Sequence, residues 1–202
     1  HKLIYSQSPD EFRRETLASK QLLEDQAQCD VEGYRAASYS ITKKSLWALD
    51  VLHECGFRYD SSIFPIRHDR YGIPDAEQRP HRHVTPNGAS IVEFPVTALD
   101  MKFAKLPLGG GGYFRLFPYW LTRFGLNWIN AKNVSPFIFY LHPWELDVDQ
   151  PRLNGSRLSR FRHYNNLHRC ESRLEALLRD FRFGPVKEVL GNLGLLSAPG
   201  VR

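Results

Sequence analysis

Residues 31–60 read VEGYRAASYSITKKSLWALDVLHECGFRYD and contain two predicted strands with a helix between them. The first strand is the short run at 31–34, and the second is the run at 57–60. Thr42 caps the helix, Gly56 ends it, and its leucines recur on one face. These leucines are Leu46, Leu49 and Leu52. A strand, a helix and a second strand at this spacing predict a βαβ unit with parallel strands, and hence an α/β fold.

Further predicted elements lie on both sides of this unit. Upstream, Ser8 and Glu11 form a capping box that begins a helix. Downstream, residues 91–96 are a predicted strand, and residues 137–141 are the most apolar predicted strand in the chain. A last amphipathic helix carries four apolar side chains at helical spacing. They are Leu174, Leu177, Leu178 and Phe181.

The middle of the chain is less regular. Residues 61–85 are rich in proline, histidine and arginine, and they predict a long ordered loop of the kind that often has a function. Four glycines at 109–112 predict a flexible turn, because no phosphate-binding Gly-Lys-Ser/Thr sequence follows them. An aromatic helix at 119–129 comes next. Three tryptophans in apolar helical patterns are predicted core residues: Trp47, Trp120 and Trp128.

Composition excludes several classes of protein. The 202 residues are 42% hydrophobic and 24% charged, as in globular rather than disordered chains. No apolar run reaches the roughly 18–20 residues of a membrane-spanning helix, so we predict no integral membrane segment. A net charge of +5 is weak support for a nucleic-acid partner, and we predict none. Three cysteines without a CxxC pair predict free thiols and a cytoplasmic location.

Three polar residues directly follow predicted strands: Arg35, Asp60 and His142. In sheets of parallel strands, active sites collect at the carboxyl ends of the strands. His142 lies between an apolar strand and a proline, and imidazole titrates near neutral pH, which suits a general acid or base. Asp60 would orient that imidazole and raise its pKa. From position alone, a hydrogen-bonded histidine at a strand end is an equally good interpretation.

Several motifs, in this order, point to one enzyme family. They are HKLIY at 1–5, GYRAASYSI at 33–41, YDSSIFP at 59–65 and YLHPWE at 140–145. With these motifs the chain resembles a polysaccharide deacetylase of the NodB-homology type. It is similar to the subfamily encoded with PEP-CTERM/exosortase exopolysaccharide loci, whose insertion and C-terminal extension match three further segments. These are RHDRYGIP at 67–74, GGGGYFR at 109–115 and SRFRHY at 159–164.

The resemblance implies a fold, a domain organisation and an activity. The fold would be a distorted, partly open (β/α) barrel that lacks its first strands. Residues 1–150 would be the deacetylase domain, with a long insertion at about 63–135, and 151–202 the subfamily's C-terminal extension. The implied reaction is metal-dependent hydrolysis of N-acetyl groups on an N-acetylated polysaccharide or oligosaccharide, and the metal is usually Zn²⁺.

Four residues of this sequence match the family's functional positions. His1 matches the second His of the metal-binding His-x-x-x-His motif, and Arg35 matches the arginine that braces the catalytic base. Asp60 matches the acidic residue that tunes a late histidine. His142, in Leu-His-Pro, matches that histidine, the general acid that protonates the leaving amine.

Two aromatic residues are predicted to bind the substrate. Trp144 lies beside His142 and would stack on a sugar ring, and Tyr34 lies beside Arg35.

The sequence also departs from the family pattern. The early Asp-containing motif and the first His of the metal pair are absent, so the other metal ligands would lie upstream of His1. We interpret this as truncation and expect the chain itself to be inactive. Ala37 replaces a proline that stiffens a turn, and Ser61 stands where many deacetylases have tryptophan.

Other functions stay open at this point. One is hydrolysis of a different small amide by the same fold. Another is a degenerate carbohydrate-binding domain without a metal. Binding of nucleic acid rests only on the basic charge and the basic stretch at 157–173, and it ranks last.

Overall fold

The fold is seen in a computed structural model that describes residues 2–101, 104–132 and 135–197. In chain order the α-helices are α1 (Pro9–Ala27), α2 (Trp47–Glu54), α3 (Gly111–Leu116), α4 (Tyr119–Lys132), α5 (Arg157–Tyr164), α6 (Cys170–Asp180) and α7 (Val186–Asn192). The strands are β1 (Gly33–Tyr34), β2 (Tyr59–Asp60), β3 (His81–Val84), β4 (Ser90–Glu93), β5 (Ala98–Asp100) and β6 (Lys105–Pro107). Short 3₁₀ turns lie at Ile4–Ser6, Ala37–Tyr39, Pro143–Glu145 and Leu167–Arg169.

The chain divides into two compact units. The first contains His1–Val96 and Pro185–Arg202, and the second contains Thr97–Gly184. The predicted boundary at residue 150, between a deacetylase domain and a C-terminal extension, stays a prediction.

A four-stranded sheet of order β1-β2-β4-β3 organises the first unit. β1, β2 and β4 are parallel, and β3 runs antiparallel to β4 at the edge. The predicted βαβ unit and α/β class are confirmed. The described residues form no closed barrel, and the barrel type stays a prediction.

Two of the local signals of the first unit are borne out, with shorter elements than expected. Ser8 caps α1, and its Oγ accepts the Glu11 N–H at 3.2 Å. The prediction that Thr42 caps α2 is wrong. The helix begins at Trp47 with Leu46 as its N-cap, and the Thr42 N–H donates to Ser45 Oγ in the turn that precedes it. Gly56 follows the helix at φ +80°, as predicted.

The core of the first unit forms between α1, α2 and the sheet. Its fully buried side chains include Ile4, Phe12, Ile41, Leu49, Leu52 and Ile91. Trp47 is half-buried and packs against this core, as predicted. The sequence 61–85 was predicted to be a loop, but it ends in β3, whose alternating half-buried and exposed residues pair with β4.

The second unit contradicts two predictions about its apolar segments. Residues 137–141 form no regular strand, and only Tyr140 makes a β-bridge, to Gly110. The ladder stops there because the glycine segment turns directly into α3. Gly110 is the N-cap of α3, and Gly111 and Gly112 are its first two residues, so the glycine segment begins a helix rather than forming a separate turn. Gly110 has φ +121°, and a Cβ there would lie 1.9 Å from the Tyr140 carbonyl oxygen.

The prediction that Trp120 and Trp128 are core residues is wrong. They are 68% and 40% exposed, whereas Leu126 and Ile129 of the same helix are buried. Positions eight apart on a helix share a face, and in α4 that face points outward. The core of the second unit instead contains Leu99, Leu108, Leu126, Ile129, Leu177 and Phe181.

Two further observations concern the cysteines and the character of the helices. Cys29, Cys55 and Cys170 are free thiols. Among the helices in the described ranges, none has the length and apolar character needed to cross a membrane.

Candidate functional site

Polar side chains collect at the carboxyl ends of the parallel strands in the first unit. Tyr34, Asp60 and Glu93 are the last residues of β1, β2 and β4, and they are register partners across the sheet. Arg35 follows β1, and Ser61 follows β2. We call Arg35, Asp60, Ser61, Ser62 and Glu93 the strand-end site.

Asp60 is fully buried at the centre of this site. Its Oδ2 accepts the Ser62 N–H at 2.9 Å, and its Oδ1 accepts the Ser62 hydroxyl at 2.7 Å. Burial raises the pKa of Asp60, and the hydrogen bonds from Ser62 oppose that effect. The Ser62 hydroxyl in turn accepts the Ala36 N–H at 2.7 Å, which joins the loop after β1 to the loop after β2.

Glu93 lies beside Asp60 and is also fully buried. Its Oε1 accepts the Ile63 N–H at 3.1 Å. Burial, and then the charge of Asp60, raise the pKa of Glu93 well above its ordinary value. Two adjacent carboxyls in a dry site disfavour simultaneous ionisation, so folding favours the form of the Asp60–Glu93 pair that keeps a proton.

Arg35 is exposed at the rim of the strand-end site. Its Nε donates to the Ser61 carbonyl at 2.9 Å, and its Nη2 donates to the Ser61 hydroxyl at 2.8 Å. That hydroxyl donates to the Phe94 carbonyl at 2.7 Å. Arg35 is thus fixed by Ser61, and its positive charge acts on Glu93, whose pKa it lowers against the larger effect of burial.

Tyr34 is half-buried beside the rim. Its ring packs edge-on against Phe12 at 5.8 Å and Phe57 at 5.4 Å between ring centres. Burial raises the pKa of its phenol to about 12. Tyr34 and Arg35 line a cavity of about 390 Å³ in the first unit, and substrate binding by Tyr34 stays a prediction.

His142 belongs to the second unit, where its side chain is exposed. Its backbone N–H donates to Glu145 Oε2 at 2.9 Å. The other oxygen of Glu145 accepts Arg115 Nε at 2.7 Å, and both side chains of this ion pair are buried. A buried ion pair therefore fixes the backbone of the predicted general acid.

Trp144 lies among cationic and imidazole groups. The His163 ring stacks on it at 4.1 Å between ring centres, and the His142 ring stacks at 5.6 Å. The guanidinium of Arg115 lies 5.1 Å from the ring centre. Burial, and then the charge of Arg115, lower the pKa of His163. Stacking of Trp144 on a sugar stays a prediction.

The predicted catalytic and metal-binding residues therefore fall into three groups. Arg35 and Asp60 lie in one site of the first unit, connected through Ser61 and Ser62. His142 lies in the second unit, and its convergence with that site stays a prediction. His1 lies outside the described residues.

Sequence reasoning assigned no role to Glu93, Arg115 or Glu145. Glu93 is the single charged residue in the apolar run at 91–96, a signal that could have identified it. Arg115 ends the motif at 109–115, and Glu145 ends the motif at 140–145. They are 30 positions apart, and no local sequence pattern indicates that they form a pair.

Comparison with known proteins identifies a family. No curated protein and no solved structure matches the chain. One family model, described as "Domain of unknown function (DUF3473)", matches residues 61–191, about two thirds of the chain. The chain therefore belongs to the DUF3473 family.

Proposed function

We propose that the protein hydrolyses N-acetyl groups on sugar residues of an exopolysaccharide or its precursor, as a metal-dependent deacetylase. The observation that carries the proposal is the buried Asp60–Glu93 pair with Arg35 at its rim, at the carboxyl ends of three parallel strands. Ligands of open α/β sheets bind outside those ends.

The family supports the same activity. DUF3473 domains are often associated with polysaccharide deacetylase proteins in exosortase loci. The motif at 59–65 spans the start of the matched region, so the strand-end site and the family domain share residues.

The chemistry of the strand-end site suits amide hydrolysis. Hydrolysis needs a proton for the departing amine and a group that accepts one from water. In this site the guanidinium of Arg35 stabilises negative charge. In this proposal Arg35 is a positioning residue, Asp60 tunes His142, and His142 protonates the amine.

Only the sequence resemblance to polysaccharide deacetylases implies a bound metal. The described residues contain no group of three His, Cys, Asp or Glu side chains that could bind an ion. They do not make a zinc site by themselves. Zn²⁺, where bound, would polarise the N-acetyl carbonyl.

A cytoplasmic location is part of the proposal as well. The three cysteines are free, and free thiols are usual in a reducing compartment.

Acetate release tests the proposed function. The complete gene product and the 202-residue chain are incubated side by side with an N-acetylglucosamine oligomer, with added Zn²⁺ or with EDTA. We expect the complete product to release acetate only with Zn²⁺. Binding of the oligomer without release would instead indicate a carbohydrate-binding domain. Release from small amides but not from the oligomer would indicate the other hydrolase.

A further inference from the structure

A second cavity, of about 660 Å³, lies in the first unit and is larger than the one beside Arg35. The loops that follow β1 and β2 contribute most of its lining. It is therefore built from the same connections as the strand-end site, but none of the predicted functional residues lines it. Four features of its wall indicate what it binds.

One wall of this cavity is aromatic and fixed. The His68 ring stacks on Tyr71 with 3.8 Å between ring centres and an angle of 9°. Tyr71 is in turn parallel to the buried Phe64, at 5.9 Å. Trp47 lies on the cavity as well. Flat aromatic faces of this kind bind the apolar faces of sugar rings.

The rim of the cavity is positively charged. Lys43, Lys44 and Arg70 line it, against a single acidic residue, Asp69. Lys43 pairs with Asp75 at 2.7 Å, and Asp69 pairs with His68 at 2.9 Å.

Lys44 and Arg70 are the two cations of this rim that can act on a ligand. Within residues 2–101, 104–132 and 135–197, no acidic side chain pairs with Lys44 or Arg70. These two charges favour an anionic ligand.

A buried acceptor lies where the two cavities share a residue. Gln7 lines both of them, and its Oε1 is buried without a hydrogen-bond donor among the residues that the structure describes. A buried acceptor without a donor costs free energy, and a ligand hydroxyl group would remove that cost.

We propose that this cavity binds an acidic sugar residue, one that carries a carboxylate, within the saccharide substrate. The aromatic wall takes the ring, Gln7 accepts a hydroxyl proton, and Lys44 and Arg70 bind the carboxylate. That the bound sugar is part of the substrate rests on the proposed function. It makes the preferred polymer an acidic one, with the N-acetylated residue bound beside Arg35.

Direct binding tests this subsite without any turnover. The probes are a tetramer of galacturonic acid, the neutral tetramer of N-acetylglucosamine and inorganic phosphate, with affinity measured by calorimetry. We expect the acidic tetramer to bind most tightly and to weaken as salt is raised. Equal affinity for the neutral tetramer, or equal affinity for phosphate, would overturn the proposal.

Matched variants locate the binding. Lys44→Gln combined with Arg70→Gln should weaken the acidic tetramer by about tenfold or more, because charge-assisted hydrogen bonds are lost. Arg67→Gln removes an exposed arginine of the same loop that does not line the cavity, and it should leave affinity unchanged. An equal loss in both variants would show nonspecific charge attraction and would contradict the subsite.

A further variant separates the sugar from the charge. Gln7→Leu should weaken both tetramers and leave phosphate affinity unchanged, and an unchanged tetramer affinity would count against the role of Gln7. Thermal unfolding of each variant confirms that it is folded. Binding of the acidic tetramer by a complete gene product that releases no acetate with Zn²⁺ present would reject the proposed function and leave the subsite intact. The opposite result would reject only the subsite.

Discussion

Arg115 and Glu145 form a buried ion pair, with 2.7 Å between Nε and Oε1 and side chains that are 2% and 0% exposed. The remaining donors of Arg115 bind backbone carbonyls at the end of α5 and just after it. These carbonyls belong to Arg162, His163 and Asn165. Glu145 also accepts the His142 N–H, so one carboxylate connects α3, α5 and the loop of the predicted general acid. In the second unit this pair is a structural centre rather than a surface salt bridge.

Replacing Glu145 by alanine should be strongly destabilising. It would leave the Arg115 guanidinium buried without its anion, and breaking a buried pair from one side costs about 3–5 kcal/mol. Urea denaturation measures the loss. Glu175→Ala, an exposed glutamate of α6, is the matched control and should change stability by less than about 0.5 kcal/mol. Similar losses in the two variants would show that the pair contributes nothing special.

The glycine segment at 109–112 allows the close approach of Gly110 to Tyr140 to be tested against a glycine two positions away. Gly110→Ala should destabilise by about 1–3 kcal/mol or more, because of its positive φ and the contact of the new Cβ with the Tyr140 carbonyl. Gly112→Ala is the control, since its nearest neighbour atom would lie at 3.8 Å. It should be neutral or stabilising by about 0.5 kcal/mol. The same denaturation assay decides, and equal effects would contradict the close approach.

Parts of the fold that depend on local signals could be predicted from the sequence. The Ser8 cap, the glycine after α2 and the parallel β1–β2 pair all follow from adjacent residues. Residues 137–141 look like a strand because they are apolar. Strand formation also needs a partner, and the glycine segment beside them continues as a helix. Apolar pattern alone does not reveal which neighbour a segment will have.

The candidate site was predictable to a similar extent. Arg35 and Asp60 could be identified because each lies at the carboxyl end of a predicted strand. Glu93 could not be assigned to Asp60, because their proximity depends on the register between β2 and β4, 33 positions apart in sequence. The ion pair of Arg115 with Glu145 is a long-range contact of the same kind.

The buried Asp60–Glu93 pair makes stability depend on pH. The raised pKa of Glu93 means that folding favours its neutral form. This contribution is complete below the unfolded pKa of about 4.3 and is lost as pH rises towards the folded pKa. Glu93→Gln stays neutral, and its amide group can donate to Asp60. We therefore expect the variant to be more stable than the native protein at pH 8 and similar at pH 4.

Thermal unfolding at both pH values measures this difference. At pH 8 the Tm should rise by about 2–4 °C, which corresponds to about 1 kcal/mol in a chain of this size. Glu175→Gln, on the exposed surface of α6, should have the same pH dependence as the native protein. A Glu93→Gln variant that is less stable at pH 8 than at pH 4, relative to the native protein, would mean that Glu93 is ionised in the folded state.

His142 is the proposed general acid of the complete gene product. An amine is a poor leaving group until it is protonated, so His142→Ala should lower kcat for acetate release by about 10²–10⁴-fold. Bound zinc should be unchanged, because His142 is not a predicted ligand. His53→Ala, an exposed histidine of α2, is the control and should keep native activity.

Chemical rescue distinguishes proton donation from a packing effect. The His142 side chain is exposed, so free imidazole can enter the space that the alanine variant leaves. Added imidazole should restore part of the lost activity in His142→Ala and none in a variant whose ion pair is broken, such as Glu145→Ala. The rescued rate should follow the protonated fraction of imidazole, which falls as pH rises through its pKa. A His142→Ala enzyme with near-native turnover would show that another residue protonates the amine, and would reject this role while leaving the strand-end site as it is.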